Sequence, residues 1–109
     1  IALHCRFASG LRALYIIEPN AAAARRVDLR TPRTGRLETT AAEYRLVFEP
    51  GDGRHRIELV LDRATANVRR VFGTRAAMAR MPFHGPHAPR LVRDAGQCRA
   101  QSASLRPGP

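Results

Sequence analysis

The chain has 109 residues, 44% of them hydrophobic, which is enough for one domain with a single core and too short for a second. Its uninterrupted apolar stretches are too short to cross a membrane as a helix. Nineteen basic residues, all arginine, stand against nine acidic ones, so the formal net charge is +10. Such a charge attracts anions over a Debye length of ~8–10 Å, although a merely solvated surface explains it equally well.

The first residue is Ile1, not methionine, so we expect a processed product or a fragment. If a signal peptide has been removed, the protein is periplasmic or secreted and folds under oxidising conditions. The only two cysteines, Cys5 and Cys98, then become a candidate disulfide. The alternative is a cytoplasmic protein with two buried free thiols.

In the first half of the chain, alternation of apolar and polar residues predicts strands at 3–7 and 44–48. An apolar, branched stretch predicts another at 11–17, and a weaker alternation predicts a short strand at 26–30. The proline and glycine in "TPRTGR", residues 31–36, indicate a loop.

The stretch "RIELVLDRATANVRRVF", residues 56–72, predicts a hairpin whose features are all explained by sheet formation. We expect Leu59 in the core, Arg63 in the turn with little effect on stability, and Asn67 with a positive φ. Further on, the sequence predicts a short helix near 74–81, a strand at 91–92 and a loose tail at 99–109. The expected fold is mainly β: one domain over 1–98, an antiparallel meander or small barrel or sandwich of six to seven strands.

The "IELVLDRAT" hairpin, together with a first strand that carries Cys5 and the closing "GQC" at 96–98, resembles a group of small exported bacterial β-proteins of uncharacterised function. Their pattern has a glycine at the hairpin turn, where this chain has Ala66. The resemblance implies a periplasmic or secreted β-domain with a terminal disulfide, and it implies no activity.

Catalytic and cofactor chemistry is not expected, because no nucleophile elbow, phosphate loop or paired carboxylate motif occurs. His84 and His87 in "HGPH" are weak metal candidates, since they lack a fixed geometry and an acidic or thiol ligand nearby in sequence. We therefore expect neither an enzyme nor a bound metal or cofactor.

Two functions remain from different classes. The first is a structural or protein-interaction role. The second is binding of a polyanion, either nucleic acid or acidic glycan, or of an acidic protein, with Tyr15, Tyr44 or Phe83 available for stacking. For the second, we expect outward arginines of several strands to form one basic face: Arg6, Arg45, Arg56 and Arg69.

Overall fold

The computed structural model describes residues 1–79 and 91–100. Eight antiparallel strands form a closed barrel in which each strand pairs with the next in sequence and the last pairs with the first. The elements are β1 (Ala2–Phe7), β2 (Arg12–Glu18), a 3-10 turn (Pro19–Ala21), β3 (Ala23–Arg26), β4 (Arg33–Thr39), β5 (Glu43–Phe48), β6 (His55–Asp62), β7 (Asn67–Thr74), α1 (Arg75–Ala79) and β8 (Val92–Ala100).

The expected fold class, a small antiparallel β-barrel, is confirmed, with eight strands where six to seven were predicted. The additional strand is β4, which begins within the stretch predicted to be a loop. Gly35 explains the error, because it lies on the inner face of β4 where a Cβ atom would come within 2.7 Å of the Phe48 ring. A residue typical of loops is here required by close packing inside the barrel.

Two further boundaries differ from the prediction. The third strand is Ala23–Arg26, so it ends where the strand predicted at 26–30 was expected to begin, and the β3–β4 loop starts at residue 27. The last strand runs over nine residues, where two were predicted, and includes Arg99 and Ala100. The short helix begins after Thr74, whose hydroxyl accepts a hydrogen bond from the amide of Ala77. Residues 80–81 of that predicted helix and 101–109 of the predicted tail lie outside the described residues.

The core consists of the side chains that alternate onto the inner face of the barrel. Five of its large side chains have at most 2% of their surface exposed: Tyr15, Phe48, Ile17, Leu46 and Leu59. The rings of Tyr15 and Phe48 lie 5.9 Å apart across the barrel centre. Leu59 is thus confirmed in the core. These contacts fill the middle of the barrel with apolar side chains.

The two cysteines lie at the junction where the barrel closes. Cys5 of β1 is directly opposite Cys98 of β8, and their sulfur atoms are at bonding distance. The disulfide therefore connects the first strand to the last. The candidate pairing predicted from two cysteines is confirmed by this geometry.

The β6–β7 turn places a positive φ at Ala66, with φ of 63°, and not at Asn67. Asn67 instead begins β7 and accepts a hydrogen bond from the Gln97 side chain of β8. The turn is held by Asp62, whose carboxylate accepts hydrogen bonds from the amides of Ala64 and Thr65. No helix in the described residues is long and apolar enough to cross a membrane.

Candidate anion-binding sites

The structure does not bring the four predicted arginines together on one face. Arg45 forms ion pairs with Glu58 and, at 3.8 Å, with Glu38. Arg56 donates to Glu49 at 2.7 Å. Both arginines are therefore largely neutralised by carboxylates of neighbouring strands, and the basic face predicted to include them is not formed there.

A different surface, which we call the basic face, covers the outer side of β7, β8, β1 and the first half of β2. Register places part of this face side by side: Arg6 is opposite Arg12, and the next outward residue of β1, His4, is opposite Arg99. All five arginines of this face are exposed to solvent; they are Arg6, Arg12, Arg69, Arg93 and Arg99. Two of the predicted four, Arg6 and Arg69, thus belong to it.

No ion pair of the described residues includes Arg6, Arg12 or Arg99, whereas Arg69 and Arg93 line a second groove together with Glu58 and Asp94. Among the described residues, Arg69 has the only ion pair of the five, with Glu43 at 3.9 Å. Arg6 and Arg12 form a like-charge pair directly across two strands, which destabilises a sheet. A groove of about 450 Å³ lies over this region and is lined by His4, Arg6, Gln97, Cys98 and Arg99.

A second group of arginines lies on the inner face, at the end of the barrel where the β3–β4 loop connects two strands. We call it the arginine cluster: Arg26, Arg33 and Arg70. Arg26 is opposite both the buried Tyr15 and Arg33, and Arg70 is opposite the buried Leu59. Because directly paired residues share a face of the sheet, all three side chains belong to the inner face.

The positive charges of this cluster affect the pKa of the buried Tyr15 phenol. Burial raises the pKa of Tyr15, while the positive charges of Arg26, Arg70 and Arg33 oppose that rise. Asp28 balances part of the charge, since its two carboxylate oxygens accept from Arg26 at 3.0 and 3.3 Å. Although burial raises the pKa of Asp28, this pairing contributes to holding it below its ordinary value.

Arg70 is the arginine of the cluster that has a buried donor atom without a hydrogen-bond partner. The Nε atom of Arg70 is buried and has no hydrogen-bond partner among the described residues. Asp94 is its cross-strand neighbour, but the carboxylate of Asp94 accepts from the hydroxyl and the amide of Ser9. The Ser9 hydroxyl is the main cause of the lowered pKa of Asp94, and the charge of Arg70 makes a smaller contribution.

The other predicted site residues do not add to these surfaces. His84, His87 and Phe83 lie outside the described residues. Within residues 1–79 and 91–100, no group of three metal-ligating side chains occurs. Tyr15 is in the core and Tyr44 is half-buried beneath Arg63, so neither ring is available for stacking on the basic face.

Sequence reasoning missed Arg12, Arg93 and Arg99. A signal was present for the last two, since the residues around Cys98 alternate strictly between outward and inward positions from Arg93 to Arg99. For Arg70 the signal was the alternation of β7, since period two from Val68 to Phe72 puts the residue between them on the inner face, although arginine in a strand is by default assigned to the solvent side.

Comparison with known protein families, with curated proteins and with solved structures found no match for this chain.

Proposed function

We propose that this protein is a small exported β-barrel that binds a linear acidic glycan along its basic face. The observation that carries the proposal is the segregation of charge on the outer surface. Five exposed arginines lie together on β7, β8, β1 and β2, whereas arginines of the β4–β6 side, such as Arg36, Arg45 and Arg56, are paired with glutamates.

The energetics of the face support a ligand. Arg6 and Arg12 repel each other across adjacent strands, which lowers the stability of the free protein. An anionic chain lying between them would replace this repulsion with attraction. Charge arranged at a cost to stability is typical of binding surfaces.

An acidic glycan fits the face better than a nucleic acid. Single-stranded nucleic acids are usually held by aromatic rings on which the bases stack. In the described chain, the rings of Phe7, Tyr15 and Phe48 are buried inside the barrel, and Phe72 is stacked on His55. Among the described residues, the basic face therefore offers guanidinium groups and no phenylalanine or tyrosine ring, which suits carboxylates or sulfates spaced along a polysaccharide.

The disulfide supports the exported location. Bonds of this kind persist in the periplasm and outside the cell and are rare in the reducing cytoplasm. Its position at the closing junction of the barrel makes it a structural bond, so the domain is suited to an oxidising compartment.

The test uses heparin as the probe and compares two double variants with the same net charge. Arg6→Gln with Arg99→Gln removes two members of the basic face. Arg30→Gln with Arg54→Gln removes two exposed arginines of loops. We expect the first variant to lose at least tenfold in affinity at physiological salt, and the second to lose much less.

The salt dependence gives a second readout. If each of five arginines displaces about one counterion, log K falls with log salt with a slope of about −3 to −4, as for single-stranded polyanions. An equal loss of affinity in both double variants would mean that heparin binding depends on net charge alone. Tighter binding of single-stranded DNA than of heparin would replace the glycan with nucleic acid, and binding of neither would leave a structural or protein-interaction role.

A further inference from the structure

The arginine cluster is a separate feature from the basic face, because its side chains are on the inner side of the barrel. A guanidinium in such a place costs free energy unless a carboxylate, a hydrogen-bond acceptor or water satisfies it. Arg26 has Asp28. Arg33 and Arg70 form no ion pair with any carboxylate of the described residues, and the Nε atom of Arg70 is buried without a partner.

The three side chains come from two opposite walls. Arg26 and Arg33 are direct cross-strand neighbours, so their Cβ atoms lie about 4.5–5.5 Å apart. Arg70 is on β7, which is separated from β3 by the same number of strands in either direction around the barrel. The cluster therefore includes residues of two facing walls, and the charges of all three arginines act on the phenol of Tyr15.

We propose that the arginine cluster binds a small oxyanion, a carboxylate or phosphate group, held between Arg33 and Arg70 and supported by Arg26. Arginine presents paired N–H donors that match the oxygen atoms of these groups. The bound oxyanion accepts from the terminal N–H groups of Arg33 and Arg70, neither of which forms an ion pair with a carboxylate of the described residues. It also relieves the repulsion between Arg26 and Arg33.

The core below limits the size of the ligand. Tyr15, directly opposite Arg26, is almost completely buried, and its ring centroid lies 5.9 Å from that of the buried Phe48. A long apolar tail extending down the barrel would have to displace them. The ligand is therefore a small anion or the charged end of a molecule whose remainder stays outside.

The experiment uses inorganic phosphate and acetate as probes, with sodium chloride as the control at equal ionic strength. Binding is followed by the melting temperature and by tyrosine fluorescence. The chain has no tryptophan and two tyrosines, so Tyr44→Phe leaves Tyr15 as the only emitter. We expect phosphate, acetate or both to raise the melting temperature above chloride and to change the Tyr15 emission.

Variants then locate the site. Arg33→Gln and Arg70→Met should each weaken the response at least tenfold, whereas Arg30→Gln, with the same change in charge, should keep it. Arg70→Met should melt no lower than the parent in chloride, because it removes an unsatisfied charge from the barrel. The double variant of Arg6 and Arg99 should respond as the parent does, which separates this site from the basic face.

The two probes distinguish the sources of the ligand chemistry. A response to acetate alone assigns the site to carboxylates, and a response to phosphate alone assigns it to phosphates. The proposal is overturned if neither anion exceeds chloride, or if Arg30→Gln loses as much of the response as Arg33→Gln.

Discussion

The guanidinium carbon of Arg63 lies 4.6 Å from the centroid of the Tyr44 ring. The same side chain donates a hydrogen bond to the carbonyl oxygen of Thr40 at 2.7 Å. Arg63 belongs to the β6–β7 turn and Thr40 to the β4–β5 turn, so one exposed arginine joins two neighbouring turns at one end of the barrel. This contact revises the expectation that Arg63 contributes little to stability.

Arg63→Ala should therefore lower the free energy of unfolding by about 1 kcal/mol, the combined effect of an exposed cation–π contact and one hydrogen bond. Leu59→Ala, in the core, should cost about 2–5 kcal/mol. Arg30→Ala, in an exposed loop, is the matched control and should stay within about 0.5 kcal/mol. Urea denaturation measures all three. Equal values for Arg63→Ala and Arg30→Ala would show that the contact with Tyr44 is energetically silent.

The Cys5–Cys98 disulfide should make a large contribution to stability, because it closes a loop with a sequence separation of 93 residues. In the chain-entropy account, replacing both cysteines by serine should cost about 4–5 kcal/mol. Non-reducing intact mass should be about 2 Da below that of the reduced chain. The melting temperature of reduced wild-type protein should equal that of the double serine variant. Full reaction of native protein with a thiol reagent would contradict the bond.

Ala66→Gly should stabilise the protein. Ala66 has φ of 63°, a left-handed conformation that costs an L-residue with a Cβ atom about 1 kcal/mol and that glycine adopts freely. Part of this gain is offset by the larger entropy of glycine in the unfolded chain, so we expect a net gain of about 0.5 kcal/mol. Asn67→Gly is the control and should be destabilising, since Asn67 is a strand residue bonded to Gln97. A loss of stability in Ala66→Gly would show that this turn is not strained.

The β5–β6 turn should contribute to the loss of stability in acid. Asp52 accepts hydrogen bonds from the amides of Arg54 and His55 and from the His55 ring, which lower its pKa to about 2. The folded state therefore retains the carboxylate while the unfolded state is already protonated. The contribution of Asp52 to the free energy of unfolding is fully present above pH 3.8 and is lost as the pH falls to about 2. Asp52→Asn should make this fall shallower in urea titrations between pH 5 and 2, and an unchanged slope would exclude the contribution.

Much of the fold could be predicted because most strands have one face in the core. In β1, β5 and β6, the inward residues are apolar and most of the outward ones are polar, Ala2, Val47 and Val60 being the exceptions, so period two appears in the sequence. β4 could not be predicted, since its inner face includes Gly35, whose small size is meaningful only once Phe48 is known to approach it. A glycine in a polar stretch is typical of a loop.

The candidate sites were harder to predict, because a charge pattern depends on which strands are neighbours. Arg45 and Arg69 both lie opposite Val60, on either side of β6, yet Arg45 is paired with Glu58 while Arg69 remains largely exposed. Such pairing follows from cross-strand register, which no single strand contains. The inward position of Arg70 likewise follows from register, since Arg70 is paired with the buried Leu59 of β6.

The disulfide also determines how the barrel responds to mechanical force. A pull applied outside residues 5 and 98 passes from Cys5 directly into Cys98, because the two are covalently joined. The hydrogen bonds of β2 through β7 lie on the branch between them and carry no load. When the disulfide is intact, a force applied to the two ends therefore does not unfold the strands between the cysteines. The chain between Cys5 and Cys98 can extend under force only after the disulfide has been reduced.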